Sequence, residues 1–413
     1  MLFRYGNRIG NTFRRIASGD TIMQMFYLNL LEEDSGMKYI DMHCDTISEI
    51  WYSRLRKENQ TLRRNRFMID LERLKKGDCL CQNLGLFVDL HRRADFEENP
   101  FDSQEVAPSA AAGSSASAAP AAANATSGGS GSDSEAGTSE PAYLDPWHTI
   151  SCLVQVFKEE VAANSDLISQ VTNAREILAN DKAGRMSALL SVEEGGCCKG
   201  SLEHLKELYD AGARMMTLTW NYENELASPN HPDKEHYFAF QPVNDHGLKK
   251  RGVEFVEAMQ DMGMLVDVSH LSDAGFYDVC RIVKGPFVAS HSNARAVCGC
   301  GRNLTDDMIR KLAEHGGVTG LNFCPEFLEP KDKDPRQSLS AIAAHARHIM
   351  NVGGRECLGL GSDFDGISGL LDYGTADMLP LLAEGLEKEG FSQEEIESIF
   401  YKNVLRVYNE VLK

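Results

Sequence analysis

Tyr39-Ile40-Asp41-Met42-His43-Cys44-Asp45-Thr46 is a short apolar run that closes on His-x-Asp. On an extended strand, residues i and i+2 share a face. His43 and Asp45 are therefore expected to project together from one strand end. An imidazole beside a carboxylate is a metal-ligand pair. The commoner meaning of such a pair is a hydrogen-bonded surface couple, so its reading depends on what other strand ends supply. Cys44, one residue out of phase, is expected to face the other way and to pack rather than ligate.

Outward from this run the chain alternates between strand and helix. Eight strand candidates begin near Lys38, Cys79, Met186, Arg214, Met264, Pro286, Gly317 and Cys357. Between them, helical patterns cover residues 48–58, 68–76, 202–209, 245–262, 272–283, 305–315 and 338–351. A longer one over 147–178 is broken near Asn164-Ser165. Ser272 and Thr305 stand where N-caps belong, and so does Asp245. Strict alternation predicts a parallel sheet. Eight such units predict an α/β fold of the (β/α)8 TIM-like barrel type. A doubly wound open sheet would want a Gly-rich phosphate loop after an early strand; His-Cys-Asp-Thr stands there instead.

Residues 107–141 contain only Ala, Ser, Gly, Pro, Thr, Asn, Asp and Glu. Such a segment buries too little apolar surface to offset its ordering entropy. A disordered insertion at about 103–141 is expected, set within a single catalytic domain over 37–413. Residues 1–36 read as a poorly ordered extension. Their basic start and short apolar patch resemble a signal peptide only superficially, since Gln24 and Asn29 interrupt the patch.

The formal net charge of −19 argues against a nucleic-acid or anionic-membrane surface. No run approaches the roughly 18 apolar residues of a membrane span. The eleven cysteines show no paired CxxC spacing, which predicts reduced thiols and a cytoplasmic protein.

The strand ends carry the chemistry. His43 and Asp45 follow the first, Glu193 the third, His270 the fifth, His291 the sixth and Asp363 the eighth. In a barrel all of these positions open onto the C-terminal face. Neutral imidazoles and carboxylates together suit zinc. Five ligands exceed the needs of one tetrahedral ion with an open position, and a carboxylate can bridge two ions. The economical arrangement gives His43 and Asp45 to one ion, His270 and His291 to the other, and Glu193 to both. A hydroxide shared between the metals would attack a carbonyl, and Asp363 would remain to carry the proton.

Asp-x-His-x-Asp-Thr, Val-Glu-Glu-Gly-Gly, Val-Asp-Val-Ser-His, Ala-Ser-His-Ser-Asn-Ala, Gly-Arg-Asn-Leu-Thr-Asp-Asp and Gly-Ser-Asp-Phe-Asp-Gly occur in that order. The set resembles the membrane dipeptidase (renal dipeptidase) family of zinc peptidases, from about Lys38 to the C-terminus apart from the insertion. The resemblance implies two zinc ions per chain in a (β/α)8 barrel that cleaves dipeptides with a free C-terminal carboxylate. It implies His43, Asp45, Glu193, His270 and His291 as ligands, Asp363 as acid/base residue and Arg302 as carboxylate clamp. D-residues at the second position are expected to be tolerated. A homodimer is left open.

The chain departs from the family pattern in places. Glu193-Glu194-Gly195-Gly196 stands where a single glutamate is usual; Glu193 is taken as the ligand because it directly ends the apolar strand. Trp220 follows Leu218-Thr219 where mammalian members carry a histidine that polarises the scissile carbonyl, and it reads as a substrate-pocket wall. His231 and His236 are the candidates to compensate. The mammalian secretion and lipid-anchor signals are not seen, which points to a bacterial-type member. Two rivals remain at this level. One is another binuclear amidohydrolase acting on N-acyl amino acids, lactones or cyclic amides; the other is a catalytically weak peptide-binding protein. His345-x-x-His348 is expected on a solvated helix face, and Cys197-Cys198 as small core hydrophobes.

Overall fold

The apolar runs become strands because each is buried on both faces, as parallel strands under a helical coat must be. They are β1 (Tyr39–Asp41), β2 (Cys79–Phe87), β4 (Met186–Glu193), β5 (Ala213–Thr217), β6 (Leu265–Asp267), β7 (Val288–Ala289), β8 (Val318–Leu321) and β10 (Leu358–Leu360); β3 (Ile168–Val171) comes between β2 and β4 in the sequence, and β9 (Arg336–Gln337) lies outside the main sheet. The computed structural model describes residues 36–91, 144–230, 246–330 and 335–413. The expectations for residues 1–35 and for the insertion lie outside the described residues, as do Asp245, His231 and His236. Residues 36–90 and 145–413 belong to one unit. Residues 91–144 fall in a second, of which only His91 and Leu144 are described.

All pairings between these strands are parallel, and the ring closes. β2 pairs with β4 from Cys81↔Ser187 to Phe87↔Glu193 and with β1 on its other edge. From β1 the order runs through β10, β8, β7, β6 and β5 back to β4. The expected eight-stranded barrel forms.

β3 corrects the reading of 147–178 as one broken helix. A helix covers Pro146–Ala163, β3 covers Ile168–Val171, and a second helix covers Ala174–Lys182. β3 pairs with the first half of β4, from Ile168↔Met186 to Val171↔Leu189, and β5 takes over at Leu190↔Ala213. Four residues are too few for periodicity to separate strand from helix.

The caps hold where they are described. Ser272 and Thr305 accept the amides of Gly275 and Met308, each worth about 1 kcal/mol, and Ser338 adds a cap of the same kind on Ala341. The helix expected from Asp245 begins at Lys250, after Lys249, which makes no side-chain cap.

β7, β8 and β10 approach one another unusually closely on the site side. A Cβ on Gly320 would lie 2.0 Å, and one on Gly361 1.8 Å, from the carbonyl oxygen of Ser290. All eleven cysteines are free. Cys197 and Cys198 are buried, and Cys44 donates to the Asn83 carbonyl at 3.3 Å, so these three pack as expected.

His345 corrects a second expectation. It is fully buried, not solvated: Nδ1 accepts the Ala294 amide at 3.1 Å and Nε2 donates to the Leu328 carbonyl at 3.0 Å. His348 instead meets Asp306 at 2.7 Å. Burial lowers the His345 pKa from 6.5 to about 4. A depressed folded-state pKa means that the unfolded chain binds the proton first. Its contribution is present above pH 6.5 and is lost as pH falls through 4, by at most about 3 kcal/mol. Urea midpoints at pH 7 and pH 5 should therefore diverge less in His345→Gln than in the wild type; equal divergence would overturn this account.

Candidate metal centre

Glu193 is the last residue of β4, and the other five site residues stand just past their strands. β1 stops at Asp41, so His43 and Asp45 do not share a strand as expected. His43 lies in the loop, and Asp45 is the N-cap of the helix Thr46–Leu55. They still reach one place because the loop is short and is tied to β10, with Asp363 N–H donating to the His43 carbonyl at 3.2 Å. His270 and Asp363 adopt positive φ, 68° and 62°. That conformation costs a non-glycine residue free energy and is found at functional sites.

The two oxygens of Glu193 face different partners. Oε2 lies 3.4 Å from His43 Nε2. Oε1 lies 3.1 Å from His270 Nε2 and 3.6 Å from His291 Nε2. Asp45 Oδ2 is 3.5 Å and Asp363 Oδ1 3.8 Å from His43 Nε2. Three groups of ligand atoms lie within 4.8 Å of one another: His43, Asp45 and Glu193; Glu193, His270 and His291; and His43, His291 and Asp363.

The hydrogen bonds fix the imidazole tautomers. His270 Nδ1 meets Asn221 Oδ1 at 2.9 Å, which makes Nδ1 the donor. Ser290 Oγ donates to Asp267 Oδ2 and so accepts from His291 Nδ1 at 2.7 Å. Both Nε2 atoms then carry lone pairs, yet they face each other at 3.0 Å. Two bare lone pairs at that distance repel; a cation between them removes the conflict. His43 Nε2 and Asp45 Oδ1 are buried without a hydrogen-bond partner among the described residues. Buried orphans are costly unless an ion or water satisfies them. The donor set and its orphans fit divalent metal.

Electrostatics agree. Burial drives the His43 pKa down, but Glu193 and Asp45 outweigh it and hold it well above the usual 6.5. Burial also opposes the charge on Glu193, yet His43 and His270 hold its carboxyl below the ordinary range. Burial, with Arg302 nearby, lowers His270 to about 3, and burial also holds His291 well below 6.5. Burial, helped by Asp45 and Glu193, raises Asp363 to about 7. Three carboxyl groups around one buried imidazole favour a cation.

Behind the site stand two carboxylate–serine clamps. Asp41 accepts the Ser362 amide at 2.8 Å and its hydroxyl at 2.7 Å. Asp267 accepts the Ser290 amide at 2.9 Å and also its hydroxyl. Each clamp fixes the residue preceding a site residue, Asp363 or His291. Sequence reasoning assigned no role to Asp41, Asp267, Ser290 or Asn221. Asp41, Asp267 and Ser290 lie within the motifs named above, but only the strand pairing shows what they hold. Gly366 leaves room for two carboxylates: a Cβ there would lie 2.2 Å from Asp45 Oδ2 and 2.7 Å from Asp363 Oδ1.

Arg302 is buried and makes no ion pair among the described residues. It donates to Ser292 Oγ and the His291 carbonyl, both at 3.3 Å, while Nε has no partner among the described residues. Trp220 is half-buried, with its ring centroid 6.3 Å from that of His270. Glu194 turns away from the histidines and accepts the Trp220 amide at 2.8 Å.

Residues 31–413 match the model of the membrane dipeptidase family, peptidase family M19. A Klebsiella pneumoniae protein of unknown function from the pqqA 5' region is 30% identical over 268 residues, 65% of this chain and 97% of its own length. An uncharacterised dipeptidase of Schizosaccharomyces pombe is 34% identical over 231 residues, 55% of this chain and 53% of its own length. Two solved structures share the fold at 20% identity. A metallopeptidase, dipeptidase AC, has a TM-score of 0.71, with 92% of this chain and 99% of that one covered. A metallopeptidase from Rhodobacter sphaeroides has 0.73, with 91% and 100% covered. The chain belongs to the membrane dipeptidase family, peptidase family M19, and is a metallo-dipeptidase.

Proposed function

We propose that this dipeptidase works with two zinc ions. His43 and Asp45 would hold one, His270 and His291 the other, and Glu193 both. The observation that carries this reading is the division of Glu193, with Oε2 toward His43 and Oε1 toward His270 and His291. Bound there, the ions would lower the pKa of a water and polarise the scissile carbonyl.

The chain's own groups do the rest. Asp363 moves the proton, taking it from the attacking water and giving it to the leaving amine. A carboxyl raised to about 7 is suited to both tasks near neutrality. Asn322 Nδ2 donates to its Oδ2 at 2.9 Å, which fixes the carboxyl and leaves Oδ1 toward His43. Arg302 binds the substrate's C-terminal carboxylate. A buried guanidinium lacking a counter-ion is supplied with one by such a substrate. Trp220 walls the pocket.

The Rhodobacter sphaeroides structure holds a phosphinate mimic of L-Ala-D-Ala, and we extend to this chain a tolerance for a D-residue in the second position. Eleven free cysteines support a reducing, cytoplasmic setting. Among the described residues no helix is long and apolar enough to cross a membrane.

Metal analysis after zinc loading should find about two ions per chain; one or none would overturn the two-ion reading. In a screen of L,L and L,D dipeptides beside N-acyl amino acids and lactones, turnover should be confined to the dipeptides. Asp363→Asn should retain zinc and lose roughly 10²- to 10⁴-fold in kcat; a wild-type rate would remove Asp363 from proton transfer. Arg302→Met should raise KM for dipeptides at least about tenfold, the loss of a charge-assisted contact. Blocking the substrate's carboxylate as an amide should abolish the difference between Arg302→Met and wild type. If the difference survives with the amide, Arg302 is not the clamp.

A further inference from the structure

Glu193 and Glu194 are consecutive, and their carboxylates do different things. Glu194 sits at φ 83°, ψ 85°. Glycine adopts a positive φ freely, whereas a glutamate does so at a cost. Its side chain is fully buried beside a second carboxylate. Strain, desolvation and like charge all act against a glutamate at this position.

What it holds offsets this. Oε1 accepts the Gly196 amide at 2.7 Å and the Asn224 side-chain amide; Oε2 accepts the Trp220 amide at 2.8 Å. Asn224 extends the network. Its amide donates to the Leu218 carbonyl at 2.9 Å, and its Oδ1 accepts the amides of Leu226 and Ala227 at 2.7 and 3.0 Å. One carboxylate thus gathers the backbone of residues 218–227. That segment carries Asn221, the partner of His270 Nδ1, and Trp220. The Trp220 ring stands edge-on to Phe87, with centroids 4.8 Å apart, and to Tyr222 at 5.5 Å.

We propose that Glu194 is a positioning residue that fixes the 218–227 segment, so that Trp220 stands as one wall of the substrate pocket and sets selectivity among dipeptides. The proposal rests on the dipeptidase reading above. The Glu194 oxygens are taken up by Gly196, Asn224 and Trp220. Glu194 acts through the backbone of Trp220, tying the strand end that carries Glu193 to the loop that shapes the pocket.

The test compares Glu194→Gly and Glu194→Gln in the zinc-loaded full chain. The chain contains three tryptophans, so a Trp51→Phe, Trp147→Phe background makes emission report Trp220 alone. Glycine removes the anchor at a backbone conformation it adopts freely, so the variant should fold. Glu194→Gly should keep its zinc, raise KM for dipeptides about tenfold with kcat changed by less than about threefold, and shift Trp220 emission to longer wavelength. Glu194→Gln, which keeps the shape and one acceptor, should recover most of both effects. Unchanged KM and emission would overturn the proposal. So would loss of zinc with collapse of kcat, which would assign Glu194 to holding Glu193. Should the wild type hydrolyse no dipeptide, the dipeptidase reading falls, and unshifted emission would still refute the positioning role.

Discussion

A parallel barrel must end somewhere, and at its C-terminal rim the backbone amides outlast the ladder that satisfies them. Asp41 and Asp267 meet that constraint here. Each carboxylate reaches from the end of one strand to the amide and hydroxyl of a serine just past the next, Ser362 from β1 and Ser290 from β6. Buried carboxylates are tolerable only when their lone pairs are filled, and these two are filled by strand ends. Gln82 adds a donor to Asp41, and Thr217 adds one to Asp267. The rim is thereby stitched from inside, and the residues after the serines inherit fixed directions. Asp363 and His291 are those residues. Interactions beyond the ligands themselves orient a metal site, and at this candidate centre they double as the closure of the fold.

The site also shows how charge is shared in a dry place. Two of its imidazoles are kept neutral by burial and by hydrogen bonds at Nδ1. The third is drawn toward its charged form by the carboxylates around it. The two environments meet at one glutamate. The same side chain therefore faces a proton-rich and a proton-poor neighbour, and an ion on either side would replace what the protons do.

Much of this was legible in the sequence. The eight apolar runs are strands because both faces are buried, and continuous hydrophobicity marks such strands well. Glu193, His270, His291 and Asp363 could be placed together because residues after parallel strands share one rim. β3 was not legible: Ile168–Val171 is too short to declare a period, and only its pairing with β4 reveals it. His345 was misjudged because helical spacing says which face a residue is on, not whether that face is covered. Glu193 and Glu194 differ through a backbone turn of one residue, which composition does not encode. The clamps were invisible for a similar reason, since an aspartate two or three residues before a histidine gives no sign of the serine it will meet on another strand.

The close approach of Gly320 and Gly361 to the Ser290 carbonyl has a consequence for how the pocket can change. Along that arc the wall is main chain against main chain, and main chain does not compress or repack. The span between His291 and Asp363 is set like the markings on a ruler. The opposite arc is made of side chains, Phe87, Trp220 and Tyr222, whose volumes can be exchanged. With Trp220 as the proposed pocket wall, chemistry would be written on the rigid side and preference on the pliable one. Relatives of this chain that accept different residues should then differ in the aromatic arc and agree in the glycines.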